Sequence, residues 1–138
     1  MFEGARMDRE RVSSGGKFED AAGYCRAIRA GDMIHVSGTA AFRDGKVVHP
    51  YEPGPQTRVI LEIIAEALAR FGASLDDAVR YRVYVNDISR WAEVVPELGR
   101  AFGVSRPAGT MVGISGIIDP AAVVEIEVDA WVGDRRGA

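Results

Sequence analysis

The chain is poor in the residues that build metal and redox centres. Its 138 residues include one cysteine, Cys25, and two histidines, His35 and His49. A single cysteine rules out an internal disulfide and a cysteine-rich metal site. The two histidines do not share the i, i+4 spacing of a helical ligand pair, so no metal centre and no metal ligand are expected. Neither G-x-x-x-x-G-K-[ST] nor G-x-G-x-x-G occurs, so nucleotide phosphates lack their usual glycine-rich cradle and no cofactor is implied. Lysine and arginine total 17 against 20 acidic residues, for a net charge of −3. The basic residues are scattered rather than gathered into the stripe that nucleic-acid binding needs, so no nucleic-acid partner is expected. Charges interrupt every apolar run well short of the ~20 residues of a membrane span. Met1-Phe2-Glu3-Gly4-Ala5-Arg6 has no apolar signal core, and the expectation is a cytoplasmic chain.

What is present is ordinary for a globular protein: 47% apolar and 27% charged residues. The length suits one domain over 1–138, with a core that needs no staples. Residues 1–12 read as a loose arm, 14–23 as a loop hinged at Gly15-Gly16, and 133–138 as a polar tail. Tyr24 opens a strand that turns at Gly31-Asp32 and continues through Met33 to Ser37. Asp44-Gly45 marks a second hairpin, with Val47-Val48 beyond it. From Gln56 to Phe71, Val59, Ile60, Ile63, Ile64, Ala67, Leu68 and Phe71 form a helical stripe that ends at Gly72.

Ala78 to Val85 alternates as a strand, with Val79, Tyr81, Val83 and Val85 on one face and Arg80, Arg82 and Tyr84 on the other. A second helix carries Trp91, Val94, Val95, Leu98 and Phe102 as its stripe and Pro96 as an expected kink. After Arg106-Pro107 come a small-residue strand over 108–114 and a long strand over 122–132. The order β-β-(β)-α-β-α-β-β predicts an α+β domain: a mixed sheet with both helices on one face. The other face is neither uniformly polar nor apolar, which points to contact with further copies.

The cleanest pattern is Val124-Glu125-Ile126-Glu127-Val128-Asp129-Ala130, which puts three carboxylates on one face of the last strand. Glu127 and Asp129 read as a solvated or salt-bridged face, with Arg80 and Arg82 as cross-strand partners. Glu125, nearer the strand's start, reads equally as a pocket carboxyl able to hold water and act as acid or base. Tyr24 is either interface packing or a ligand contact. Ser37, ahead of Gly38, is either a strand-end hydroxyl bonded to nearby backbone or a ligand contact, since glycine admits close approach. No histidine and aspartate accompany Ser37 at triad-like spacing, so it is not read as a nucleophile. Cys25 reads as a buried thiol and His35 as a structural histidine.

Six segments in order are similar to the Rid family, also called YjgF or L-PSP: Gly23-Tyr24 with Gly31-Asp32-Met33-Ile34-His35-Val36-Ser37-Gly38; Gln56-Thr57-Arg58; Gly72-Ala73-Ser74-Leu75-Asp76-Asp77-Ala78-Val79; Val83-Tyr84-Val85-Asn86-Asp87; Arg106-Pro107-Ala108; and Val124-Glu125-Ile126-Glu127. Each is weak alone; together they span roughly 24–132. The resemblance implies a chorismate-mutase-like α+β subunit assembled as a homotrimeric barrel, with ligand clefts between subunits. It also implies hydrolysis of small imines and enamines, such as 2-aminoacrylate, without metal or organic cofactor. By the same resemblance Tyr24 and Glu125 would be catalytic. Ser37, Gly38, Thr39, Gly109, Thr110 and Met111 would line the substrate site.

One departure stands out. The family's arginine, which grips the substrate carboxylate in a bidentate pair, is replaced by Gly109. The family's reactive cysteine becomes Met111, and a pocket asparagine becomes Val95. The chain is therefore similar to a divergent member, with a roomier and less polar pocket, in which typical 2-imino-acid deaminase activity is not expected. Arg106 is the nearest cation that could substitute. The alternative is a non-catalytic, small-molecule-binding or regulatory trimer. Endoribonuclease activity, an old label for the family, fits poorly with an acidic chain.

Overall fold

The computed structural model describes residues 9–135. Its frame is a six-stranded sheet in the order β1-β2-β3-β8-β6-β7. The strands are β1 (Arg9–Val12), β2 (Ala27–Ala30), β3 (Met33–Thr39), β6 (Ala78–Val85), β7 (Ala108–Gly113) and β8 (Val124–Trp131). β6 and β7 are parallel, and the other pairs in this sheet are antiparallel. The parallel pair is the one bridged by a helix, as right-handed crossover rules require. A small hairpin of β4 (Phe42–Arg43) and β5 (Lys46–Val47) stands apart. Asp44 at φ 52° and Gly45 at φ 76° form its turn. Two successive positive φ values match the twist of a two-residue hairpin, for which Asp-Gly is suited.

Three α-helices complete the described residues: α1 (Lys17–Ala22), α2 (Pro53–Ala69) and α3 (Trp91–Phe102). α2 starts three residues earlier than the apolar stripe suggests, because proline at its first position has a preset φ and no N–H to lose. Ile60, Leu61, Ile64, Ala67 and Leu68 are buried from α2, which packs on β3, β8 and α3. α2 and α3 lie on one face of the sheet, and the core between them includes Ile34, Val36, Val83, Val85, Val94, Leu98, Ile126 and Val128.

Gln56 is fully buried and ties this layer to the sheet. Its Nε2 donates to the carbonyls of His49 and Ala121 at 2.9 and 2.8 Å. Its Oε1 accepts from the Val123 N–H at 2.9 Å. One amide thereby satisfies three backbone groups and fixes the start of β8.

Several expectations need correction. Residues 9–12 are not a loose arm: β1 pairs with β2 in register Arg9 to Ala30 and Val12 to Ala27. Residues 1–8, the rest of the expected arm, lie outside the described residues. The stretch 14–23 is not all loop, because it contains α1. Glu19 holds it, accepting from Ser13 Oγ at 2.8 Å, the Ser14 N–H at 3.1 Å and the Ser14 hydroxyl. Tyr24 does not open β2 but precedes it. Val79 is 44% exposed rather than core, because the register slips between Ala78 and Arg80. Pro96 does not interrupt α3, and Trp91 and Val95 are 54% and 43% exposed. Gly103 caps α3 in right-handed conformation, with φ −61°. Arg106, at φ 46°, is the left-handed residue, and its N–H bonds the Phe102 carbonyl at 2.8 Å. The expected 133–138 tail begins with a short turn over Gly133–Arg135, and 136–138 lie outside the described residues.

Candidate active site

Strand alternation turns Glu125, Glu127 and Asp129 away from the helices, since Val124, Ile126, Val128 and Ala130 are buried beneath α2 and α3. On this open face Glu127 and Asp129 are neutralised. Arg82 Nη1 lies 3.3 Å from Asp129 and 4.0 Å from Glu127. His35 Nδ1 meets Asp129 at 2.7 Å, and Tyr84 donates its hydroxyl to Glu127 at 2.6 Å. The salt-bridged reading of these two carboxylates therefore holds for Arg82. Arg80 instead donates to Thr110 Oγ1 at 2.9 Å. The Glu127 hydrogen bond, aided by partial burial, holds the Tyr84 phenol above its usual pKa.

Glu125 differs from its two neighbours. It forms no salt bridge among the described residues, and partial burial pushes its carboxyl pKa up against the opposing pull of Arg26. Gly38 makes the site possible. A Cβ there would stand 3.0 Å from both Glu125 Cδ and Oε2, so only glycine leaves the carboxyl its full space. Around it, Arg26 Nη2 donates to the Gly38 carbonyl at 2.6 Å, and the Arg26 guanidinium lies 5.8 Å from the Tyr24 ring centroid.

Tyr24, 40% exposed, is launched by Gly23 at φ 75°, and its N–H bonds Glu19 O at 3.0 Å. Ser37 donates its hydroxyl to the Cys25 carbonyl at 2.7 Å, which is the bonded-hydroxyl reading. Thr39 is buried and donates to the Ser37 carbonyl at 2.8 Å. Cys25 is half-buried rather than buried. Tyr24, Arg26, Gly38 and Glu125 thus form one cluster, with Ser37 at its border. Arg26 went unnoticed in the sequence because it sits in a weakly alternating stretch, and its partners are 12 and 99 residues away.

Gly109, Thr110 and Met111 belong to a second region. They line a cleft of about 530 Å³ with Tyr81, Val95, Phe102 and Arg106. Gly109 faces Tyr81 across the parallel β6–β7 pair, on the helix-covered side. β6 separates β7 from β8, and Glu125 pairs with Tyr84 whereas Gly109 pairs with Tyr81. The two are therefore two strand spacings apart and offset by three residues, about 14 Å, and belong to opposite faces. One copy therefore does not bring the two groups of residues together.

The expected roomier pocket is not found at Gly109. The space that a side chain would enter holds the Tyr81 ring: a Cβ on Gly109 would come 2.5 Å from Tyr81 Cζ and 2.8 Å from its hydroxyl oxygen. That ring is stacked on Phe102 at 4.8 Å. Tyr81 was legible only as a core position in an alternating strand. Among the described residues, no group of three or more His, Cys, Asp or Glu side chains could hold a metal ion. Nor is any described helix long and apolar enough to cross a membrane.

A mixed sheet backed by two main helices, with polar clusters at strand ends, defines an α+β fold of the chorismate-mutase-like kind. The chain belongs to the Endoribonuclease L-PSP family, whose model matches residues 16–132. Its fold is that of Rv2704 from Mycobacterium tuberculosis, described as a member of the highly conserved YjgF/YER057c/UK114 family. That protein is 46% identical, with a TM-score of 0.81, and the match covers 90% of this chain and 99% of that one. A putative endoribonuclease from Thermotoga maritima is 26% identical, with a TM-score of 0.75 and coverage of 88% and 91%. An uncharacterised protein of Streptomyces coelicolor is 34% identical over 126 residues, which is 89% of this chain and 92% of that protein.

Proposed function

We propose that this chain assembles as a homotrimer whose intersubunit clefts bind and hydrolyse a small imine-, enamine- or carbonyl-type metabolite. The observation that carries this reading is the division of the candidate residues. Tyr24, Ser37, Gly38 and Glu125 lie on the open face, whereas Gly109 and Met111 lie on the helix-covered face at the far sheet edge, with Thr110 between them turned to the open face beside Arg80. A ligand that uses both groups must sit between two copies. The open sheet face, with its network of His35, Arg82, Glu127 and Asp129, is suited to a shared interior.

In the chemistry that follows, Glu125 is the acid–base group. Its raised pKa makes it a better proton acceptor than an ordinary carboxylate. It takes a proton from water while the water oxygen bonds to the imine carbon and the C=N pair moves onto nitrogen. Proton return to nitrogen gives the neutral carbinolamine. Its hydroxyl proton then passes to nitrogen, with Glu125 as the relay, as C=O forms and the C–N bond breaks, giving a carbonyl compound and ammonia. Tyr24 and the Ser37–Gly38–Thr39 segment hold the ligand, and backbone N–H groups near Thr110 and Met111 on the edge strand polarise its acceptor atom.

The missing guanidinium at Gly109 favours a second reading, a trimer that binds without turnover. The test is a screen of small imines, enamines and amides with wild type, Glu125→Gln and Tyr24→Phe. Turnover that Glu125→Gln abolishes supports the hydrolase. Turnover indifferent to Glu125→Gln rules out the mechanism, and ligand binding without turnover selects the second reading. RNA cleavage by purified protein at low salt, where electrostatic binding is strongest, would favour the endoribonuclease label instead.

A further inference from the structure

We infer that Tyr81 sets the charge specificity of the Gly109 cleft, closing it to carboxylates and fitting it to a flat, uncharged carbonyl or imine compound. This rests on the proposed cleft-binding function and names its ligand class. The first observation is steric. Tyr81 Cζ, Cε1 and the hydroxyl oxygen lie 2.5, 2.7 and 2.8 Å from where a Cβ on Gly109 would be. No side chain at 109 can share that volume with the ring as it stands. The ring is not a loose end free to swing aside, because it stacks on buried Phe102 with centroids 4.8 Å apart and 23° between planes. The glycine and the tyrosine therefore form one device: the absence of a side chain at 109 is what admits the aromatic wall.

The second observation is chemical. Around this wall the cleft is lined by Val95, Leu98, Phe102, Pro107 and Met111. The apolar part of this lining rewards burial of a flat apolar body and offers an anion no hydrogen-bond donor. The Tyr81 hydroxyl forms no hydrogen bond to another described residue, so it can serve one polar atom of a ligand. In the proposed assembly the adjoining copy brings Arg26, which is held by the Gly38 carbonyl of that copy at 2.6 Å and sits beside Glu125. The chain that carries the cleft itself brings two cations near it. Arg80 is engaged with Thr110 at 2.9 Å. Arg106 is exposed at the rim, where solvent screening leaves a single charge little binding energy. Neither replaces a buried bidentate grip.

Benzamide and benzoate are near-isosteric and differ in charge, so they isolate the claim. Their affinities for wild type, measured by ligand-observed NMR, should favour benzamide by about tenfold or more, the factor associated with one charged hydrogen bond. Tyr81→Phe keeps the ring and the fold. It should weaken benzamide severalfold and leave benzoate unchanged. Gly109→Arg alone should gain little benzoate affinity, whereas Gly109→Arg with Tyr81→Ala should reverse the preference. If that double variant does not fold, wild type and Tyr81→Phe still decide.

Equal or tighter benzoate binding by wild type overturns the inference, and loss of that binding in Arg106→Gln would identify Arg106 as the grip. Binding of neither probe overturns it too. All of these variants change the Gly109 side of the gap and leave Glu125 in place, so the effect of Tyr81→Phe fails separately from the hydrolase reading. A wild-type enzyme that turns over anionic imino acids through Glu125 would sink the inference and leave that reading standing.

Discussion

Gly38 and Gly109 do the same geometric job for opposite chemical ends. Each lacks a Cβ where a neighbour's side chain needs the room. At Gly38 the neighbour is the carboxyl of Glu125, 3.0 Å from the would-be Cβ; at Gly109 it is the Tyr81 ring, 2.5 Å away. The first leaves an ionisable group beside Arg26 and Tyr24, with its pKa pushed up. The second leaves an aromatic wall stacked on Phe102. A glycine beside a site is thus not a sign of empty space. At 38 it preserves the room of an ionisable group, and at 109 it removes a contact and lets a ring take over.

The largest effect should come from Glu125→Gln. If Glu125 is the acid–base group, its loss lowers kcat by about 10²–10⁴-fold in a steady-state assay of whichever imine or enamine proves to be a substrate. Thermal unfolding should show no loss of stability, because a partly buried charge has been removed. Next is Gln56→Leu, which strands the Val123 N–H and the Ala121 carbonyl at the start of β8 and the His49 carbonyl ahead of α2. It should cost about 3 kcal/mol or more in denaturant unfolding, and it tests whether the Glu125 side depends on that anchor.

The two glycines should then respond in crossed fashion. Gly109→Ala must displace a stacked ring and should cost about 1–3 kcal/mol of stability. Gly38→Ala meets only the movable end of Glu125, so it should barely change stability but lower turnover by about tenfold through misplacement of the carboxyl. Equal stability losses at both sites would erase the distinction.

The smallest effect concerns pH. Burial pushes Glu19 up, but hydrogen bonds from Ser14, Ser13 and Gly16 outweigh it and hold the carboxyl below its usual value of 4.5. Its contribution is therefore present above 4.5 and lost as pH falls through the lower folded-state value. Glu19→Gln should flatten that acid limb of the stability profile. Glu125 has the opposite sign. Its folded-state pKa is raised, so its stabilisation is present below 4.5 and declines as pH rises through the folded value. Glu125→Gln should remove that decline.

The local patterns were readable because single elements carry them. β8 alternates over its whole length, α2 shows its stripe, and Asp44-Gly45 announces its turn. α1 was missed because it is only six residues long and its apolar residues, Phe18, Ala21 and Ala22, stay exposed; what holds it is a set of hydrogen bonds to Glu19 from residues that read as loop. β1 was missed because Arg-Glu-Arg-Val gains its strand only by pairing with β2, about twenty residues away. The bulge at Val79 depends on register with β8, which alternation alone does not encode.

In the site, Glu125, Gly38 and Tyr24 followed from motif order. The neighbours Arg26 and Tyr81 did not, since each acts through a partner distant in sequence. The divergence at Gly109 was visible, but its consequence was not. Deleting a side chain on paper suggests a larger pocket, whereas the fold fills the space from β6.

A crystal structure of the assembled protein would test the central claim most directly, through the separation between the Glu125 carboxyl of one copy and Gly109 of the adjoining copy. The expected result is three copies around an axis, with those two groups facing each other across a gap that one small ligand spans. A monomer, or an assembly that leaves Glu125 and the neighbouring Gly109 on separate surfaces, would contradict it.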